Sequence, residues 1–534
     1  MQALTLVDMG FLYTETVASP KHVAGLQIFT IPDNYEGNFT RDLFDCLMSQ
    51  DEVKQPFNLK LKKQLTGQFY WKKDDYIDLS YHVRFAMLPQ PGNESQLLHF
   101  VEHQHETLLD RNRPLWEMVL IDGLEDNKFA IYLKAHHAFT DGAKANQLLM
   151  SYLSNQTDAP MTAFWNIERE QKEKELDSML TSITKTSKKL SGQVKSIPSL
   201  AKLTTKLLFQ AANVYKADMP TPFMAPKTPF SISPKRARRA AISALPLTRV
   251  KRIGKMTGAT INDVVVTICD MAIHNYLANK NFNLKKPLVA QMPMSLRDAG
   301  DTVTNNQVAI SLVELAYRGE SPLERLMTIK DSCIKLKNET RLLTKEALTS
   351  YTMASQGLAV VSELFNLDTV LPPMGNVLIS NVPGPREPLY MMGAKMDQCF
   401  PISVLPPGMS LNITLYSYNG LINVGLVSCR SALPDLSNLA EYVSNAFIEL
   451  ENEVLASATT SVTEQIARLV LSNDNSGIKQ ESLAIIEQLL ADAQKAEDVQ
   501  VTTANTAPVQ PTTNSSVSAS KVAEKKTKTV PASA

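Results

Sequence analysis

The sequence predicts an α/β protein made of two mixed-sheet halves. Three observations carry this: short alternating strands and amphipathic helices are interleaved over residues 1 to about 160, the same mixture returns over about 230 to 455, and a helical, then proline-rich stretch divides them. At 534 residues the chain exceeds one ordinary domain, and 44% hydrophobic content supplies a sizeable core.

In the first half, Leu26 to Ile31 and Phe129 to His137 alternate as strands, and Glu94 to Leu109 has helical spacing. This half, 1–165, ends just past a histidine-rich loop. Over Glu168 to Lys216, Leu176, Leu180, Ile183, Leu190, Val194 and Ile197 recur at helical spacing until Pro198, so the segment reads as a helical linker. Pro220, Pro222, Pro226 and Pro229 mark an extended crossover that completes 166–230, and Lys235-Arg236-Ala237-Arg238-Arg239 opens the second half, 231–455. There, Asn262 to Leu277 reads as a buried helix, while Val377 to Ser380, Leu411 to Tyr418 and Leu421 to Ser428 read as strands. Leu436, Leu439, Val443, Phe447, Leu450 and Val454 trace a closing amphipathic helix. Ile466 to Leu471 and Ile478 to Leu490 suit a small helical hairpin within 456–500. The last segment, 501–534, lacks aromatic residues and is expected to be disordered.

Charge and cysteine usage narrow the function classes. With 54 basic and 54 acidic residues the formal net charge is zero, so no bulk field favours nucleic acid, which is not an expected partner. Five scattered cysteines, odd in number and without CxxC spacing, point to reduced thiols. No signal-peptide pattern and no uninterrupted apolar window of about 18 residues is present, so the expectation is a cytoplasmic protein that meets membranes only peripherally. Between Ser178 and Ala217 there are seven lysines and no acid. Such a stretch can lie on an anionic inner-membrane or lipid-inclusion surface, or simply be a linker helix with a solvated lysine face.

The stretch most suggestive of chemistry is His136-His137-Ala138-Phe139-Thr140-Asp141-Gly142, at the end of the 129–137 strand. Side chains alternate along a strand, so the two histidines face opposite ways and cannot share a role. One imidazole can act as a general base because its ordinary pKa lies near neutrality. Asp141, on a turn that ends in Gly142, can fold back to fix the loop. A metal site would also use His, His and Asp, but diverging neighbours without a further His or Cys nearby fit one poorly, and no metal is expected. A purely structural pair of histidines is the remaining reading.

Further blocks accompany this motif: Asp8-Met9-Gly10-Phe11-Leu12, Pro20-Lys21-His22-Val23, Pro114-Leu115-Trp116-Glu117, Gly258-Ala259-Thr260-Ile261-Asn262-Asp263-Val264-Val265, Pro293-Met294-Ser295-Leu296-Arg297 and Ser380-Asn381-Val382-Pro383-Gly384-Pro385. In this order, over residues 1 to about 455, they resemble the bacterial bifunctional wax ester synthase/acyl-CoA:diacylglycerol acyltransferase family, within the CoA-dependent acyltransferases. Lys21 and Ala24 stand where that family usually has Met and Gly, and Asn305-Asn306-Gln307 replaces its usual Gly-Asn pair.

The resemblance implies two pseudo-symmetric lobes with the site in a channel between them. It also implies acyl transfer from a long-chain acyl-CoA to a fatty alcohol or a diacylglycerol, acyl-CoA being a substrate and no cofactor being needed. His137 would be the base, His136 its support, and Asp141 a loop-orienting residue paired with Arg297. Asn262 and Asp263 suit either helix capping or support of the site. Asn381, Pro383 and Gly384 read as turn chemistry shaping the channel wall, and Pro114, Leu115 and Trp116 as scaffold with a pocket role. The alternatives are a condensation-type domain fed by a carrier-bound thioester, for which no carrier segment is identified, and a non-catalytic lipid-binding protein on the same scaffold.

Overall fold

In a computed structural model, the structure describes residues 2–4, 6–64, 68–140, 142–167, 220, 222–295, 308–317, 319–341, 345–365, 367 and 371–471. The chain opens with β1 (Gln2–Ala3), α1 (Leu6–Thr14), β2 (His22–Thr30), α2 (Phe39–Met48), β3 (Leu59–Lys63), β4 (Phe69–Lys73) and the single turn α3 (Leu79–His82). It continues through β5 (Val83–Met87), α4 (Glu94–Glu106), β6 (Trp116–Leu124), β7 (Lys128–His136) and α5 (Gly142–Tyr152). The second half holds β8 (Arg238–Pro246), α6 (Leu247–Thr257), α7 (Ile261–Asn279), β9 (Val289–Ser295), β10 (Val308–Glu314), α8 (Pro322–Arg341) and α9 (Lys345–Leu364). It closes with β11 (Val377–Pro383), β12 (Tyr390–Met391), β13 (Ala394–Ile402), β14 (Leu411–Tyr418), β15 (Leu421–Cys429) and α10 (Leu436–Leu471).

Two six-stranded mixed sheets form the frame, ordered β12-β13-β2-β7-β6-β5 and β10-β9-β11-β14-β15-β8, beside a small sheet β1-β4-β3. The α/β class with two sheet-rich lobes is as expected. Four strands of each half follow one plan. In β2-β7-β6-β5 successive neighbours run antiparallel, antiparallel and parallel, and β8-β15-β14-β11 repeats that pattern. The rungs correspond as well. His22 pairs with His136 as Arg238 pairs with Cys429, and one step further the His137 N–H donates to the Lys21 carbonyl at 2.8 Å as the Arg430 N–H donates to Ala237 at 2.9 Å. Cys429-Arg430 therefore occupies in the second half the place that His136-His137 occupies in the first.

The halves are interlocked. β13 leaves the second half to pair with β2, covering what would otherwise be an open sheet edge. The sheet strands approach so closely there that a Cβ on Gly425 of β15 would sit 1.8 Å from the Pro401 carbonyl oxygen. A sequence division at 231 could not show this exchange, because pairing between strands as far apart in the chain as His22–Thr30 and Ala394–Ile402 leaves no local pattern. One hydrophobic core runs through both sheets, joining Leu26, Val119 and Tyr132 to Ile413, Val424 and Leu426.

Several expected boundaries move. The helix expected to close near Val454 runs on to Leu471, its Ala- and Thr-containing continuation offering no breaker. Asn381 to Pro383, expected in a turn, are the last rungs of β11, paired in parallel with Leu415 to Ser417 of β14; a proline is tolerated at the strand end. The 168–219 part of the linker, the 478–490 arm of the hairpin and the tail lie outside the described residues. No single described helix is long and apolar enough to cross a membrane. α6 and α7 pass only as a pair bent by 103°, and α7 is a core helix with Val264 to Ile273 buried.

Candidate active site

β7 delivers the histidine pair to the edge of the two-lobed core, and a chain of backbone contacts fixes it there. The His136 N–H donates to the Leu115 carbonyl at 3.0 Å, and the Phe139 N–H returns to the His136 carbonyl at 2.8 Å to close the turn. Leu115 is fully buried with Leu12, Leu59, Leu61, Trp71 and Ala138. Trp116 stacks on Trp165 and donates from its indole to the Phe57 carbonyl at 2.8 Å. Pro114, Leu115 and Trp116 are thus scaffold that positions the strand end.

The two imidazoles diverge as strand alternation requires. His136 is wholly buried. Its Nδ1 accepts the Ala138 N–H at 3.0 Å, which places its proton on Nε2, and that atom lies 3.3 Å from Oε1 of Glu15. His137 is half-buried and stacks on Phe11 with ring centroids 4.1 Å apart and planes at 14°. Of the pair, His136 is wholly enclosed and His137 is partly exposed.

Glu15 anchors the loop and was not visible from the sequence. Oε1 also accepts the Lys21 N–H at 3.1 Å, while Oε2 accepts from Arg111 Nε at 3.1 Å and Nη2 at 2.9 Å. Burial alone would raise the carboxyl's pKa, but His136, the Lys21 amide and Arg111 together overcome it and hold the group at about 2. Glu15 is separated from His136 by 121 residues of chain, so no local spacing could reveal the contact. Lys21, one of the departures from the family pattern, is buried and donates from Nζ to Ser19 Oγ at 2.7 Å. Burial, then the Arg238 charge, lowers its pKa, against the opposing carboxylates of Glu363 and Glu15.

Behind the strand lies a second polar group of residues. His22 is hydrogen-bonded through Nε2 to the His105 carbonyl, and His105 Nδ1 meets the Tyr132 hydroxyl at 2.9 Å. Burial, followed by the charges of Arg238 and Lys134, pushes His105 down to about 3, and burial likewise drives His22 far below its ordinary value. Both rings are neutral at neutral pH.

The other predicted site residues scatter. Asp141 and Arg297 lie outside the described residues, and Gly142 is the first residue of α5. Thr260 is the N-cap of α7, and Asp263 closes a capping box with it: Oδ2 accepts the Thr260 N–H at 2.8 Å while Thr260 Oγ1 accepts the Asp263 N–H at 3.2 Å. Asp263 is therefore a capping residue, with Asn262 half-buried beside it. Gly384 is required by space, since a Cβ there would lie 2.4 Å from both the Ser417 carbonyl oxygen and the Tyr416 ring. The strand end carrying Asn381 and Pro383 is tied to α5: Asn146 donates to the Pro383 carbonyl at 3.4 Å and accepts from the Tyr416 hydroxyl at 2.6 Å. The Asn381 to Gly384 block thus packs beside the helix that follows the histidine loop. Among the described residues no group of three or more His, Cys, Asp or Glu side chains could hold a metal ion, and the five cysteines form no disulfide.

Comparison with known proteins places this arrangement. Residues 4–265 match the wax ester synthase/diacylglycerol acyltransferase catalytic domain, and 304–451 match the WS/DGAT C-terminal domain. O-acyltransferase WSD of Acinetobacter baylyi is 34% identical over 85% of this chain and 98% of its own length. A probable diacylglycerol O-acyltransferase, tgs2, of Mycobacterium tuberculosis is 36% identical over 84% of this chain and 98% of its own length. The solved wax ester synthase/diacylglycerol acyltransferase of Marinobacter aquaeolei superposes with a TM-score of 0.70 at 33% identity, covering 85% of this chain and 100% of that one. By these matches and by the order of its motifs, the chain belongs to the wax ester synthase/diacylglycerol acyltransferase family.

Proposed function

We propose that this chain transfers a long-chain acyl group from acyl-CoA to the hydroxyl of a fatty alcohol or a diacylglycerol, with His137 as the general base. The observation that carries the assignment is the division of labour in the pair: His136 is buried with its tautomer set by Ala138 and Glu15, while His137 is partly exposed and stacks on Phe11.

The acceptor hydroxyl gives its proton to a ring nitrogen of His137 as its oxygen attacks the thioester carbonyl. The tetrahedral intermediate collapses, the carbon–sulfur bond breaks, and the leaving thiolate takes the proton back from the imidazolium. The products are the ester and free CoA; no covalent enzyme intermediate, metal or cofactor enters. Asp141, paired with Arg297, orients the loop in this scheme. The lysines between 178 and 217 bring the protein to anionic lipid surfaces, where apolar acceptors are held.

Thiol release from palmitoyl-CoA, measured with hexadecanol and separately with a diacylglycerol, tests the assignment. Release that requires one of these acceptors and matches ester formed is expected. Release only with a carrier-bound acyl thioester would favour the condensation-type reading, and none with any acceptor would leave a lipid-binding protein.

A further inference from the structure

On the outer face of α4, His99 and His103 stand one helical turn apart, with their side chains 63% and 53% exposed. Their Nε2 atoms lie 3.3 Å from each other, with the rings edge-on at 88°. Each Nδ1 turns towards a carboxylate three residues on, His103 to Glu106 Oε1 at 3.5 Å and His99 to Glu102 Oε2 at 3.9 Å. At these distances the carboxylates lie beside the rings and leave each Nε2 able to present a lone pair. One Nε2–H can donate to the other across this gap, and a metal ion can take that proton's place between the two nitrogens. Imidazoles bound at about 2.0 to 2.1 Å to a tetrahedral zinc ion have their nitrogens about 3.3 to 3.4 Å apart.

We propose that His99 and His103 form a two-histidine surface site for a borderline divalent transition metal of the zinc class, with water filling its other positions. Glu106 and Glu102 are the outer carboxylates of this site. Glu106 is the stronger of the two, because Glu102 Oε2 also takes Arg239 Nη1 at 3.0 Å and lies 3.7 Å from Arg430 Nη2. The pair faces solvent, whereas His105 on the same helix points inward to Tyr132. The site is not separate from the frame. Glu102 accepts the Ala240 N–H of β8 at 3.0 Å, so α4 is one of the elements that fasten the first half to the second. A metal ion bridging its successive turns stiffens that fastening.

Zinc alone, titrated calorimetrically into the full chain near neutral pH, tests the site, with the His99→Gln/His103→Gln double variant as the reference for zinc taken by thiols. The wild type is expected to show one saturable site that the double variant lacks. His99→Gln and His103→Gln should each weaken it at least about tenfold, Glu106→Gln by several-fold. Saturating zinc should raise the melting temperature of the wild type and not of the double variant; melting without zinc shows that each variant is folded. Equal zinc uptake by wild type and double variant, or no saturable binding by the wild type, overturns the proposal.

Discussion

Nε2 of His136 lies 3.3 Å from Oε1 of Glu15, and this contact ties the residue that follows α1 to the last residue of β7. It assigns the buried histidine a structural task. Because Arg111 holds the other carboxylate oxygen, the three residues form a fixed set beneath the loop whose outer face is His137.

Acid stability should report that set. Glu15 has a folded pKa of about 2, below its ordinary 4.5, so its contribution is fully present above about pH 4.5 and is lost as pH falls through 2. The shift corresponds to about 3 kcal/mol. Chemical denaturation of wild type and Glu15→Gln across this range should show a steeper acid loss in the wild type. Parallel slopes would mean that the carboxylate is not held as described.

Glu15→Gln should also lower turnover at neutral pH more than it raises KM, because it loosens His136 and the adjacent base without touching the acceptor. Restoration of wild-type rates by Glu15→Asp is not expected, the shorter side chain being unable to reach both His136 and Arg111. A variant with unchanged kcat would remove Glu15 from the positioning role.

The closeness of the two sheets makes Gly425 intolerant of a side chain. A Cβ 1.8 Å from the Pro401 carbonyl oxygen must push β13 from β15, and Gly425→Ala should cost at least about 1 to 3 kcal/mol. A denaturation midpoint equal to that of wild type would contradict the packing.

If Asp141 and Arg297 pair, replacing both should cost less than the sum of the single replacements in a stability cycle. Additive losses would refute the pairing.

Much of this was legible where the pattern is local. Apolar alternation and flanking turn residues agree over Leu411 to Tyr418, which is β14 with those same bounds, and the alternation of β7 separates His136 from His137. What escaped depends on distant partners or on competing local signals. Asn381-Val382-Pro383 has turn composition, yet parallel pairing with β14 makes it strand. Asn262 and Asp263 were both cap candidates, whereas Thr260 is the N-cap and Asp263 its capping-box partner. Glu15 and Arg111 have no spacing relation to the histidines, and the transfer of β13 to the first sheet is a tertiary event without sequence period.

The role of His137 is tested by the rate of CoA release by His137→Ala with palmitoyl-CoA and the acceptor that the wild type uses. A loss of ~10²- to 10⁴-fold in kcat with acyl-CoA binding nearly intact is expected, since the base acts on the alcohol. Turnover at the wild-type rate in this variant would contradict that role.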